Sequence, residues 1–375
     1  MTKIFLIAGE ASGDALGAAL MRALRVATSD IFFIGVGGPA MAGEGLASLF
    51  PLEDIAVMGL LPVLERLPNL LARIAQTAQA VIDARPECLV LIDAPDFTHR
   101  VAKRVRRRLT HLPIIDYVSP TVWAWRPGRA RAMRGYIDCV MALLPFEPAA
   151  YARLDGPPCI YVGHPLAEQL DALTPSASRN NGPLMVLPGP RRAEIARMTP
   201  LYGQTLALLM KDFPDLDVVI PVAPNMATPL AVALREWPLK PQLIEQGEKF
   251  AAFRAARAAL VTSGAATLEL ALAGVPMVVA YRVSPIESLL RFLITVDSIV
   301  LPNLIAGENF IPEFLQERAT PAALAGALAT LLQSQAVRDR QETGFAQVRA
   351  QIAGAGERPG ARAAEIVLDY ARRAG

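Results

Sequence analysis

Two carboxylates, Asp93 and Asp96, stand three positions apart in ECLVLIDAPDFTHR, directly after an apolar run suited to a buried strand. A carboxylate at a partly desolvated strand end can act as a general base, a role worth roughly 10²–10⁴-fold in rate. Aspartate also caps helices that follow strands, and Asp96, just ahead of FTHRVAKRVRRR, fits either role. Asp93 precedes Ala-Pro, too early to cap that helix, so its position favours chemistry. The turn AGEASGD adds Glu10, Ser12, Gly13 and Asp14 at the end of the first apolar run. Free backbone N–H groups at a helix start hold polar ligands. Ser12 and Asp14 serve equally well as caps; Glu10 is harder to explain that way.

The second half carries a different chemistry. VTSGAATLELALAGVPMVV places Ser263 and Gly264 between an apolar run and a helix containing Thr267 and Glu269. Glycine there lets a phosphate approach the backbone, and the helix start supplies about half a positive charge. Glu269 can reach a ribose hydroxyl pair or be a solvated helix residue. In LPGPRRAEI, Arg191 can neutralise a diphosphate in bidentate fashion or stand unattached at the surface. In VLPNLIAGENFIPEFLQ, Asn303 has an amide donor and an acceptor to offer a ligand.

The elements that must position these residues are legible as alternation. KIFLIA, IFFIGV, CLVLID, IIDYV and CVMALL, then LMVLP, LDVVIP, AALVTS and PMVVAY, are each followed by polar or helix-forming segments. That is the signature of βαβ units and parallel sheets, an α/β class. In such sheets ligands bind outside the carboxyl ends of strands, where Asp93 and the glycine turns fall. TPSASRNNGP is the only linker-like stretch. Two domains are therefore expected, at 1–172 and 183–335, with helices over 336–375. Gly35, Gly37 and Ala40 in IGVGGPAMAG match a dinucleotide-binding spacing, but away from the first strand where that fingerprint belongs. Gly35 to Gly38 read instead as a tight turn needing positive φ.

Bulk properties exclude several classes. Lys plus Arg (37) nearly balance Asp plus Glu (35), so no overall field marks a nucleic-acid binder. Three scattered cysteines, Cys88, Cys139 and Cys159, suit a reducing compartment, and TKIFLIAGEAS does not resemble a signal peptide. His99, His111 and His164 show no ligand spacing, so no metal is expected; His164, in YVGHPL, reads as support for the domain junction. The chain is 53% hydrophobic, yet its apolar segments break well short of the ~18 residues a span needs. Such a chain can rest on a bilayer without crossing it.

AGEASGD, GVGGPAM, MGLLPVLERLP, IDAPDF, YVSPTVWAWRPGR, LPFEP, YVGHPL, SGAATLELAL, GVPMVV and LPNLIAG, in this order, closely resemble the lipid-A-disaccharide synthase family. The resemblance runs from about residue 3 to beyond residue 317. It implies a GT-B fold, two Rossmann-like doubly wound domains around a cleft, with C-terminal helices. It also implies an inverting transfer without cofactor. The implied donor is UDP-2,3-diacylglucosamine and the implied acceptor 2,3-diacylglucosamine 1-phosphate, giving a β-1,6-linked tetraacyl disaccharide 1-phosphate and UDP. On that pattern Asp93 is the base for the acceptor's 6-hydroxyl. Arg191 and the helix starting near Gly264 stabilise the leaving UDP; Glu269 and Asn303 match nucleotide positions. Glu10 and Asp96 lie near the reacting sugars, and Ser12, Ser263 and Thr267 complete the substrate-binding set.

One departure is Pro190 in LPGPR, where the family commonly has serine. It removes a hydroxyl and an N–H from the diphosphate region, although proline suits a first helical turn. GENFIP also departs from the usual form of its run, so Glu308 and Asn309 receive no role. Acylated substrates account for the hydrophobicity. In VMGLLPVLERLPNLLARI, Met58, Leu60, Leu61, Val63, Leu64, Leu67, Leu70 and Leu71 are dense, while Pro62 and Pro68 are expected to prevent one long regular helix. That patch enters a membrane interface or cradles acyl chains if exposed, and is core if packed. KRVRRR (Lys103 to Arg108) and RPGRARAMR (Arg126 to Arg134) can attract anionic headgroups at about 1 kcal/mol per charge, or be solvated faces. The resulting expectation is a cytoplasmic protein, peripheral on the inner face of the inner membrane, with oligomeric state left open. Two rivals share parts of the pattern: a UDP-sugar 2-epimerase of the same fold, and a non-catalytic lipid-binding protein.

Overall fold

The computed structural model describes residues 2–55, 60–175, 181–223, 225–284, 296–354 and 358–374, giving the backbone alone over 60–66 and at 374. Contacts divide the chain into two compact units, Met1–Ala167 with Ala355–Gly375, and Glu168–Gly354.

The first unit is a parallel sheet of six strands: β1 (Thr2–Ala8), β2 (Ile31–Val36), β3 (Cys88–Ile92), β4 (Ile114–Tyr117), β5 (Cys139–Ala142) and β6 (Cys159–Tyr161), in the order β2-β1-β3-β4-β5-β6. Side chains of a strand alternate between faces. Accordingly Ile4, Leu6, Val90 and Ile92 enter one core, while Phe5, Ile7, Leu89 and Leu91 enter another. Both faces are covered, so the strands read as unbroken apolar runs rather than alternating ones. The covering helices include α1 (Ala11–Ala27), α2 (Pro39–Gly43), α3 (Leu60–Ala84), α4 (Pro95–Arg106), α5 (Gly128–Met133) and α6 (Glu147–Arg153).

The second unit repeats the plan with β7 (Leu184–Leu187), α7 (Arg192–Leu209), β8 (Val218–Pro221), α8 (Ala227–Ala233), β9 (Gln242–Ile244), α9 (Lys249–Ala255), β10 (Ala258–Thr262), α10 (Ala265–Leu272), β11 (Met277–Tyr281), α11 (Leu301–Ala306) and β12 (Glu313–Leu315). All its strands are parallel, in the order β12-β11-β10-β7-β8-β9. Three helices end the chain: α12 (Pro321–Gln333), α13 (Gln335–Ala353) and α14 (Pro359–Ala374). Leu324, Leu328 and Leu331 of α12 close the second core. Helix α14 returns to the first unit, where Ala363, Ala364 and Val367 pack with Leu20, Met21 and Leu24 of α1.

The expectation that Pro62 and Pro68 break the apolar patch is corrected: α3 runs 25 residues, with Pro68 inside it. Pro62 falls in the first turn, where its missing N–H is not needed, while Pro68 forfeits one ladder bond at a cost of about 3 kcal/mol. Burial of Ile74, Ala78 and Val81 at helical spacing offsets that loss. Met58 lies outside the described residues, as do the side chains of Leu60, Leu61, Val63 and Leu64. Of the rest, Leu67 and Leu71 are exposed and Leu70 is partly buried. Among the described residues no helix is long and apolar enough to cross a membrane. Residues 176–180 of the expected linker also lie outside the description.

Candidate active site

In the first sheet the chain steps from β1 out to β2 and then returns to β3 on the other side of β1, so strand order reverses between β1 and β3. Loops leaving such neighbouring strands part in opposite directions and open a crevice at their carboxyl ends. Register sets Ala8 beside Ile92 and Ile92 beside Tyr117, so the three turns start level. Asp93 N donates to Tyr117 O at 3.1 Å, and there the chain bends sharply: Asp93 has φ 60° and Ala94 φ 45°. Two successive left-handed residues other than glycine are costly, about 1–3 kcal/mol each, and persist only where surroundings over-determine them.

Those surroundings are identifiable. Pro95 opens α4 with the φ that proline already has, and the Thr98 hydroxyl lies 3.0 Å from Asp93 O and 3.1 Å from Ala94 O. On the other side an added Cβ at Gly9 would lie 2.0 Å from the Ala94 Cβ, and one at Gly13 would lie 3.1 Å from Ile92 O. The glycines of AGEASGD thus let the β1 turn close onto the β3 turn. The Asp93 carboxylate accepts from Ala94 N at 2.8 Å and from the Ser12 hydroxyl at 3.3 Å, and remains half-exposed. A proton acceptor held by two donors, with one face open, suits a general base. Glu10 precedes α1 as its N-cap without a side-chain capping bond, beside Ser12 in the same turn. Asp96 does not cap α4, whose N-cap is Ala94; it is 91% exposed and 3.6 Å from Arg129.

Asp14 takes a role the sequence only half suggests. It is buried and accepts from Gly38 N at 2.7 Å, Ala40 N at 2.8 Å and Met41 N at 3.0 Å, capping α2 rather than its own helix. An added Cβ at Gly38 would meet that carboxylate at 2.6 Å, so glycine there serves close approach; its φ is −102°, and of Gly35 to Gly38 only Gly35 takes positive φ. The turn expectation is corrected on that point. Asp14→Ala strands three donors, and unsatisfied buried donors cost about 1–3 kcal/mol each. Urea unfolding should show a loss of about 3 kcal/mol or more; a loss under 1 kcal/mol would contradict this anchoring.

In the second sheet strand order reverses between β7 and β10, whose ends are level through the pair Leu187 and Val261. The turns leaving them are LPGPR and TSGAA. Arg191 is the N-cap of α7, with its N–H donating to Glu194 at 3.3 Å and its guanidinium at 3.2 Å from the same carboxylate. The Arg191 side chain is still 58% exposed, so it can turn to an anion. Pro190 lies one residue outside the cap, which corrects the first-turn placement: no helical N–H is lost to it. Gly264 caps α10 at φ 152°, with open space where a Cβ would stand.

The remaining residues divide by whether their polar groups are free. Glu269 is 17% exposed and paired with Lys249 at 2.8 Å, so it is not a freely solvated helix residue. The Ser263 hydroxyl donates to Ile299 O at 2.8 Å, and the buried Thr267 hydroxyl to Gly264 O at 2.8 Å. Asn303 is buried; its amide lies 3.0 Å from Ile311 O and 3.3 Å from Ser298 Oγ, and its oxygen accepts from Ile311 N at 3.0 Å. These three shape the turns, with their hydrogen-bonding groups turned inward.

Sequence reasoning gave Glu147 no role beyond its motif. It is buried, accepts from Trp123 Nε1 at 3.0 Å and Leu144 N at 2.9 Å, and so ties the loop after β4 to the loop after β5. Burial pushes its carboxyl from 4.5 up to about 7. The folded chain therefore holds this proton more tightly than the unfolded one, so its contribution falls as pH rises from about 4.5 to about 7. Denaturation across that window should lose part of its pH slope in Glu147→Gln; an unchanged slope would refute the assignment. His99 pairs with Asp116 at 2.9 Å inside the first unit, His111 is exposed, and burial lowers His164 to about 4, leaving it neutral near pH 7. Among the described residues no group of His, Cys, Asp and Glu could hold a metal ion.

Comparison with known proteins gives the family and the fold. The family model for lipid-A-disaccharide synthetase matches residues 4–367. A lipid-A-disaccharide synthase of Nitrobacter hamburgensis is 54% identical over 98% of this chain and 95% of its own. One of Rhodopseudomonas palustris is 50% identical over 99% and 97%. Among solved structures, the UDP-GlcNAc 2-epimerase of Neisseria meningitidis bound to UDP-GlcNAc has TM-score 0.63 at 13% identity, covering 98% of this chain and 99% of that one. The calicheamicin glycosyltransferase CalG4 has TM-score 0.60 at 17% identity, covering 99% of both. At these identities the likeness shows the fold, the GT-B type with two Rossmann-like domains.

Proposed function

Since the chain belongs to the lipid-A-disaccharide synthase family, we propose that it transfers 2,3-diacylglucosamine from UDP-2,3-diacylglucosamine to the 6-hydroxyl of 2,3-diacylglucosamine 1-phosphate, inverting the anomeric centre and releasing UDP. The observation that carries the mechanism is the Asp93 elbow: a half-exposed carboxylate at the strand-order reversal of the first sheet, fixed by Ala94 N and Ser12. Asp93 accepts the hydroxyl proton as the acceptor oxygen bonds to the anomeric carbon. The bond from that carbon to the diphosphate breaks, and its electron pair leaves with UDP. Attack from the opposite face inverts the centre without a covalent enzyme intermediate.

Arg191 and the N-terminus of α10 at Gly264 stabilise the charge that collects on UDP, and Glu269, held by Lys249, faces the ribose. Ser263, Thr267 and Asn303 act by fixing the turns that present these groups. Glu10, Ser12 and Asp96 surround the acceptor end. Exposed Leu67 and Leu71 support contact with a phospholipid surface.

Purified protein given both acylated substrates should form the disaccharide with one UDP per product. UDP release that persists without acceptor points to the epimerase reading, and binding of both lipids without turnover to a lipid-binding protein. Liposome flotation tests the membrane contact separately.

A further inference from the structure

Resting on the transfer reading, we propose that Arg126 and Arg129, on the connection from β4 to α5, bind the phosphate monoester of the acceptor. The residues assigned above match its hydroxyl and leave its phosphate without a cation. A phosphate monoester carries about −1.5 to −2 charges near pH 7 and three strong acceptor oxygens, so it calls for guanidinium donors in the same unit as Asp93.

The basic run RPGRARAMR holds four arginines, and the structure separates them. Arg131 and Arg134 both pair with Asp155. Among the described residues no carboxylate pairs with Arg126; its guanidinium lies 4.1 Å from the centre of the Trp125 ring, exposed and oriented by stacking. Arg126 also has φ 54°, a left-handed conformation whose cost marks a position set by something other than local preference. Arg129 closes the same turn, its N–H donating to Arg126 O at 2.9 Å, so the two cations open and close one turn. Among the described residues the nearest carboxylate to Arg129 is Asp96 at 3.6 Å, longer than a hydrogen bond, on a side chain 91% exposed.

That contact also locates the pair. Asp96 is in the first turn of α4, three residues beyond Asp93, and the Arg126 loop leaves β4, the strand beside β3. Arg129 therefore stands beside the first turn of the helix that follows the base, with Arg126 in the same loop. Bidentate guanidinium contacts bind phosphate through charge-assisted hydrogen bonds. A phosphate entering this turn would replace the 3.6 Å contact with Asp96.

The test compares kcat/KM for the phosphorylated acceptor with that for the same sugar lipid lacking phosphate, in wild type, R126Q, R129Q, R129K and the control R131Q. Wild type and R131Q should prefer the phosphorylated acceptor by about 100-fold. R126Q and R129Q should each lower that ratio about tenfold, through KM, while R129K keeps part of it. Arg126 is exposed, so R126Q reads the effect without burdening the fold. A wild-type ratio near 1, or ratios unchanged in R126Q and R129Q, would overturn the assignment. A wild-type protein that transfers to neither acceptor would overturn the transfer reading, and this site with it.

Discussion

Asp93→Asn should lower kcat by about 10²–10⁴-fold, the range attributable to a general base. Asparagine keeps the shape of the elbow and one oxygen for Ala94 N, but offers no carboxylate to take the proton. UDP affinity should be unchanged, because Arg191, Gly264 and Glu269 belong to the second unit and Asp93 to the first. Single-turnover transfer and UDP titration on the same preparation separate the two quantities. A variant turning over at the wild-type rate would remove Asp93 from the mechanism.

Gly9→Ala should lower kcat by about 10²-fold, although residue 9 is assigned no contact with substrate. The added methyl would lie 2.0 Å from the Ala94 Cβ, with backbone atoms of Ala94 at 3.4 and 3.7 Å, so one of the two turns must move. Misplacement of a reacting group by about 1 Å is enough for a loss of that size. The diagnostic is the double variant Gly9→Ala with Ala94→Gly. It removes the opposing Cβ and places glycine at φ 45°, where glycine is at ease. Turnover should recover to within a fewfold of wild type. A double variant that melts like wild type yet stays slow would show that Gly9 acts otherwise.

Both predictions depend on an edge where backbone strain and charge meet. Asp93, Ala94, Val118 and Arg126 all take positive φ, and all follow β3 or β4 at their carboxyl ends. For valine this is an outlier, since a branched Cβ crowds the backbone there. These strained residues persist because the two cores packed on β1 and β3 hold the strand ends in place.

By itself the sequence determined the long strands, the alternation with helices and the four turns that follow β1, β3, β7 and β10. The reason is physical: strands buried on both faces must be apolar throughout, and turns at helix starts need glycine, proline or small polar residues in fixed places. The strands β6, β9 and β12 escaped notice because each has three residues, too few to show a pattern, and β9 exposes Gln242 and Leu243. Their extended form comes from pairing with a neighbour, which is tertiary information. Tertiary structure also decided which polar groups remain available. Asn303 and Thr267 have hydrogen-bonding groups that are already engaged inside the chain, whereas Arg126 stacks on an indole and keeps its charge in the open. Residue type states what a side chain can donate or accept, and only its neighbours in space settle what is already taken.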